Sequence, residues 1–215
     1  MHVETIPVNA DGFFMDFMMN AYVASANEKA NSVVIVDPGG QGQKIMEAVG
    51  PRSVAAILLT HYHPDHVGAL CSLRDVWDET SVPVYIHALD RDSLTGEKAW
   101  SRDKTGCGPA LEKAFVTLKD GDVVTDAGLS LKVMHTPGHS KGGLCYYDQQ
   151  DGVLFSGDTI FRGTTGRTDL GTGKAQDMHN TLQILAQLPD ETVVLPGHEE
   201  PTTIAHERTR SLIEY

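Results

Sequence analysis

Short aliphatic runs alternate along the chain with Gly/Pro punctuation and amphipathic stretches. Ser32–Val36 (SVVIV) reads as a strand stopped by Asp37-Pro38-Gly39-Gly40. Ile45, Met46 and Val49 recur at helical spacing before Gly50-Pro51 and predict a short helix. Residues 55–59 (AAILL) read as a strand buried on both faces, running into Thr60-His61-Tyr62-His63-Pro64-Asp65-His66. A helix carrying Val67, Leu70, Leu73 and Val76 is expected next, then a strand over 82–86. The polar, irregular stretch 90–115 predicts a loop or short helices over one face, with Trp100 a candidate cover. Further strands are expected at 129–134, 143–147, 153–156 and 193–195, a Gly/Thr-rich loop at 163–173, and helices at 178–188 and 204–213. Hairpins and crossovers mix, with no repeat and no linker. The expectation is one domain over residues 1–215, of α/β (α+β) class, with two sheets sandwiched between helices.

Charge narrows the function classes. Seventeen Lys+Arg stand against twenty-nine Asp+Glu, a formal net charge of −12 with His neutral. Such a surface repels nucleic acid and anionic membrane, so a small-molecule substrate is expected as the partner, while the oligomeric state stays open. No apolar run is long enough to span a bilayer. The start, MHVETIPVNADGFF, lacks the basic and apolar regions of a secretion signal. Cys71, Cys107 and Cys145 are odd in number and far apart, with no CxxC pair, so neither a thiolate metal site nor a disulfide framework is expected. A cytoplasmic location follows as an expectation. The apolar, Met-rich stretch 13–19 (FFMDFMM) predicts either core packing or an adaptable lip beside a pocket.

The ten histidines carry the chemistry. Apolar strands end in polar ligand-type residues four times: His61/His63/Asp65/His66, His139, Asp158 and His198. Residues at strand ends and in the following loops can converge at one edge of a sheet. His61 and His63, two apart in extended chain, point the same way, whereas Asp65 and His66 fall where a helix should begin and turn elsewhere. Imidazole and carboxylate suit Zn, Fe or Mn. Seven such groups can hold two divalent ions: His61, His63 and His139 on one, Asp65, His66 and His198 on the other, with Asp158 bridging. A water shared by two cations becomes a hydroxide nucleophile near neutral pH. His2, His87, His179 and His206 read as ordinary surface or core histidines, and His135 as a supporting residue. Lys141 reads as solvated or as a contact for an anionic substrate.

Asp37-Pro38-Gly39, THYHPDH at 60–66, TPGHS at 136–140, SGDTIFRG at 156–163 and PGH at 196–198 together resemble the metallo-β-lactamase-fold hydrolases over nearly the whole chain. That resemblance implies an αβ/βα four-layer sandwich, a dinuclear site at one edge of its two sheets, and Asp37 orienting the ligand loop. TPGHSKGG, GDTIFRGTTGRTDL and PGHEEPTTIAHERTR are most similar to the glyoxalase II-like group, hydroxyacylglutathione hydrolases and short relatives acting on thioesters. The resemblance makes Arg167 a contact for the carboxylate of the thiol carrier, and an Arg in a Gly-rich loop is a fair anion hook, or else a surface partner of Asp169. Asp65 would orient the hydroxide and accept a proton. Only 199–215 follow His198 in this sequence, so a short form without the helical domain that supplies glutathione contacts in glyoxalase II proper is expected. The alternatives are a persulfide dioxygenase-like oxidoreductase with one iron, which shares the fold and a similar GRTD loop, and a lactonase or other hydrolase of this fold.

Overall fold

Two six-stranded sheets stack face to face in the computed structural model, which describes residues 1–10, 18–73, 76, 82–95 and 108–212. The first runs, in spatial order, β1 (His2–Asn9), β2 (Met18–Ser25), β3 (Ser32–Val36), β4 (Ser53–Leu58), β5 (Val84–His87) and β6 (Phe115–Leu118). Next in the chain come β7 (Val123–Val124), β8 (Leu131–His135), β9 (Leu144–Asp148) and β10 (Val153–Gly157), then the separate hairpin β11 (Ile160–Phe161) and β12 (Thr164–Thr165), then β13 (Val193–Pro196) and β14 (Thr202–Thr203). The second sheet has the order β14-β13-β10-β9-β8-β7.

The aliphatic runs are continuous because both faces of the central strands are covered. In β3, Val34 and Val36 enter the core between the sheets while Val33 and Ile35 enter the outer core of the first sheet. Ile45 and Val49 of α1 (Gly42–Val49) join that outer core. On the second sheet Tyr146 and Phe155 face the first, whereas Cys145 and Leu154 face outward with Met178, Leu182 and Leu185 of a later helix, Ala175–Leu185. The spacing of those three residues is one helical stripe. Each fully buried aliphatic side chain contributes about 1.5–3 kcal/mol. Helix, sheet, sheet, helix is the four-layer sandwich that the sequence led us to expect.

Several expected elements differ. Of the helix expected after His66, the described residues show one turn, α2 (Pro64–Val67), a 3-10 turn over Gly68–Leu70 and Val76 in helical conformation, while 74–75 and 77–81 lie outside the described residues. Stretch 90–115 contributes α3 (Ala88–Thr95) and α4 (Gly108–Ala114), while Trp100 lies outside the described residues. The helix expected at 178–188 is α5 (Ala175–Leu185), and the expected tail helix is the single turn α6 (Ile204–Glu207). Of the Met-rich stretch, Met19 is buried and Met18 exposed, and 13–17 lie outside the described residues. Cys145 is a buried free thiol but Cys71 is disulfide-bonded, which corrects the expectation of none: separation in sequence does not fix separation in space. No helix among the described residues is long and apolar enough to cross a membrane.

The sheets are tied together at one edge, at the ends of their central strands. From β2, the Asn20 N–H donates to the Gly197 carbonyl (2.7 Å) and the Tyr22 hydroxyl to the Pro196 carbonyl (2.6 Å). From β9, the Leu144 N–H donates to the Thr60 carbonyl (2.8 Å) and the Tyr146 hydroxyl to the Leu59 carbonyl (2.8 Å). These bonds hold the ends of β4 and β13 against the opposite sheet, and the clustered His and Asp residues follow those ends.

Candidate metal centre

Seven side chains meet where the ties lie. His61 and His63 follow β4 in extended chain, and Pro64 then starts α2, so Asp65 and His66 turn away from them. His139 sits in the turn between β8 and β9, Asp158 just beyond β10, and His198 just beyond β13. His61, His63 and His139 present one ring nitrogen each within 4.8 Å of one another, and so do the ligand atoms of Asp65, His66 and His198. Asp158 stands between these trios. Its Oδ2 is 3.4 Å from His139 Nε2, and its Oδ1 is 3.1 Å from His66 Nε2 and 3.7 Å from His198 Nε2. A third group, Asp37, His61 and His66, also lies within 4.8 Å, but the Asp37 carboxylate is already engaged.

The far ring nitrogens fix where the near ones point. His66 Nδ1–H donates to Asp37 Oδ2 (2.8 Å). His139 Nδ1–H donates to the Arg167 carbonyl (2.7 Å) and His198 Nδ1–H to the Met18 carbonyl (2.9 Å). Thr60 Oγ1 donates to Asp37 Oδ2 (2.6 Å) and accepts from His61 Nδ1–H (3.0 Å). Four imidazoles thus have the proton of Nδ1 tied outward, which aims the Nε2 lone pair inward. His63 is turned the other way, with Nδ1 2.7 Å from His139 Nε2. Gly39 permits the close approach of the turn that carries Asp37 to the 61–66 segment, since a Cβ there would lie 1.6 Å from the Asp65 carbonyl oxygen.

Electrostatics separate the trios. Burial, followed by the neighbouring imidazoles, pushes His61 well below the ordinary range and His63 down to about 3. Burial also opposes charge on His66, but Asp158, Asp37 and Asp65 outweigh it and hold that group well above the ordinary value. His198 is raised too, against its burial, by Asp65 and Asp158. Asp65 and Asp158 are held low despite burial, chiefly by His66.

The atoms left over fit cations. His61 Nε2, His66 Nε2 and Asp158 Oδ1 are buried and make no hydrogen bond. Orphaned buried polar atoms of this kind are costly unless something else satisfies them. Five imidazoles and two carboxylates make a borderline-to-hard donor set. The thiol of Cys145 takes no part: burial pushes it up to about 11, and it contacts Thr136 and Thr159 instead.

Other candidate residues fall around this core. Asp37, in the left-handed region at φ 46°, accepts from the Thr60 N–H (2.7 Å) besides its bonds to Thr60 Oγ1 and His66. The Arg167 side chain is exposed and paired with Asp169 through two bonds of 2.7 and 2.9 Å, while its carbonyl holds His139. His135 stacks on His87 with ring centroids 4.2 Å apart and bonds the Lys141 carbonyl through Nε2 (2.9 Å). Lys141 itself is exposed. Sequence reasoning missed Thr60, the carbonyls of Met18 and Arg167, and Asp90. Carbonyl contacts leave no trace in residue type, whereas Asp90 follows an apolar strand as Asp158 does, and that pattern could have found it.

Residues 16–198 match the family described as the Metallo-beta-lactamase superfamily. The probable metallo-hydrolase YqgX of Bacillus subtilis is 35% identical over an alignment covering 89% of this chain and 90% of that protein. The hydroxyacylglutathione hydrolase GloC of Haemophilus influenzae is 27% identical, with 97% and 95% covered. Among solved structures, the BLEG-1 B3 metallo-β-lactamase superposes with a TM-score of 0.79 at 32% identity, covering 98% of both chains. TTHA1623 in a di-iron-bound form gives 0.76 at 32% identity, covering 96% of this chain and 98% of that one.

Proposed function

The chain belongs to the metallo-β-lactamase superfamily, and from that premise we propose that it is a dinuclear metal-dependent hydrolase of small thioesters, S-acyl-glutathione or related. The observation that carries the dinuclear reading is Asp158, which turns one carboxylate oxygen towards each trio of donors. His61, His63 and His139 would hold one divalent ion, and Asp65, His66 and His198 the other, with zinc favoured and iron or manganese compatible with the same donors. Bound there, the ions supply Lewis acidity and a water ionised near neutral pH. Asp65, whose side chain is the most open of the seven at 24%, has its carboxylate ionised by His66 and His198 and is placed to orient that water and accept its proton. Its Oδ2 is kept in place by His198 Nε2 at 3.2 Å.

Thioester cleavage suits this constellation because a thiolate leaves without a proton from a general acid. Support for the substrate class is the likeness to GloC, named a hydroxyacylglutathione hydrolase, and the Gly-Arg loop at 166–167. The test is a panel of S-lactoylglutathione, simple acyl thioesters, lactones, β-lactams and a glutathione persulfide with Zn-, Fe- and Mn-loaded protein. Thioester turnover that disappears in His61→Ala is the expected result. Turnover of lactones or β-lactams alone, or sulfite formation with O₂ uptake at one iron per chain, would replace the thioester reading. Arg167 is exposed and already paired, so Arg167→Ala should raise KM for carboxylate-bearing thioesters by roughly fivefold or less, leaving kcat unchanged. An equal effect on uncharged thioesters would remove its role as an anion hook.

Protons report on the two trios separately. His66 is held well above its ordinary value and His198 is raised, so protons on this pair compete with a cation, whereas His61 and His63 are lowered and offer bare nitrogens. Calorimetric titration of metal-free protein at pH 7 in buffers of different ionisation enthalpy should therefore show proton release as the Asp65–His66–His198 site fills. The release should fade as pH rises through the raised values, and the Asp65–His66–His198 site should weaken first as pH falls. Binding without proton release at pH 7 would contradict this assignment.

A further inference from the structure

Asp90 lies in the first turn of α3, directly after β5, and is fully buried. It is outside the seven-residue cluster, yet its carboxylate gathers donors from the loop that carries His139 of the first trio. Ser140 Oγ–H donates to Oδ2 (2.6 Å) and the Gly142 N–H to Oδ1 (2.7 Å). Ser140 follows His139. The fit at Gly142 is close, since a Cβ there would lie 2.6 Å from Asp90 Oδ1. The other groups holding this trio act on one imidazole each: Thr60 on His61, and the Arg167 carbonyl on His139.

We propose that Asp90 is a positioning residue that anchors the 139–142 loop to the start of α3 and thereby sets where His139 stands relative to His61 and His63 for a cation. The inference rests on the dinuclear reading above and extends it to a residue that touches neither metal donor atoms nor substrate. A carboxylate is suited to the place because it only accepts, and two donors converge on it, one on each oxygen. An alanine leaves the Gly142 N–H buried without this acceptor. An asparagine keeps one oxygen for a backbone N–H, and its amide can donate to the Ser140 hydroxyl once that hydroxyl rotates.

The test is zinc affinity by chelator competition, with the visible absorption spectrum of the Co(II)-loaded protein alongside, for wild type, Asp90→Ala and Asp90→Asn. Asp90→Ala should lose about 10–100-fold in affinity at one site, the range seen when a partner of a metal-binding histidine is removed, and should shift the Co(II) bands. Asp90→Asn should recover most of both. A purely structural Asp90 would lower the unfolding temperature while leaving affinity and spectrum as in wild type, and that result overturns the proposal. Should Asp90→Ala fail to fold, Ser140→Ala, which removes a single donor, must weaken zinc binding measurably, and unchanged affinity there overturns the proposal equally. If wild-type protein itself binds no divalent cation, the dinuclear reading falls and takes this inference with it. If wild type binds and Asp90→Ala matches it, the inference alone falls.

Discussion

Asp158→Ala should reduce thioester kcat/KM by roughly 10²–10⁴-fold and strip the protein of at least one equivalent of metal. The magnitude follows from what the carboxylate faces. One oxygen lies 3.1 Å from His66 Nε2 and the other 3.4 Å from His139 Nε2, so its loss is felt on both sides of the cluster. The ions that Asp158 would join supply several kcal/mol of charge stabilisation to the reaction, and each 1.36 kcal/mol is about tenfold in rate. Asp158→Asn keeps the shape and tests the charge alone: it should retain the fold and still lose most of the activity. Steady-state kinetics with elemental analysis of the same samples decides the matter. Full metal content and near-normal kcat/KM in either variant would show that Asp158 does not join two sites.

Asp37→Ala should be the most destabilising change near the site. The carboxylate accepts from the Thr60 N–H, the Thr60 hydroxyl and His66 Nδ1, all buried. Truncation leaves a backbone N–H and an imidazole N–H buried without this acceptor and strands the raised charge of His66. A loss of about 3–5 kcal/mol is expected, which lowers Tm by roughly 6–20 °C for a chain of this size. Metal affinity should fall about 10–100-fold, because His61 and His66 both lose their fixed orientation. The sign of the pH dependence also follows. A raised His66 stabilises the metal-free fold below pH 6.5, and that contribution is lost as pH rises through its raised value. Without Asp37 part of the raise disappears, so the difference in Tm between wild type and Asp37→Ala should be larger at pH 6 than at high pH. Thermal unfolding of chelated protein across pH checks this, and equal Tm values at pH 6 would refute it.

The chemistry of the site was legible in the sequence because it is written in residue types that are hard to place otherwise. His61, His63, Asp65, His66, His139, Asp158 and His198 do meet, and the turn at Pro64 that parts the first four into two directions could be read from strand-then-helix spacing. The central strands were legible for a different reason. With cores on both faces they carry unbroken aliphatic runs, so β3 was found with its observed ends and β10 to within a residue. Strands at the sheet edges escaped. β1 contains Pro7, which argues against a strand unless it lies at an edge, and β1 is an edge strand pairing only with β2. β6 has Val116 and Thr117 exposed and only Leu118 buried, so no alternation marks it. The helix length after Ile204 was overread because apolar spacing continues where the backbone tightens into turns. The supports of the site were hardest to see: the Met18 and Arg167 carbonyls act through the main chain, and Asp90 acts through contacts fifty or so positions away in sequence.

Anomalous diffraction from crystals of the metal-loaded protein tests the central claim most directly. Two peaks about 3.5–4 Å apart are expected, one among His61, His63 and His139, the other among Asp65, His66 and His198, with the Asp158 carboxylate between them. A single peak, or peaks outside this cluster, would contradict the account.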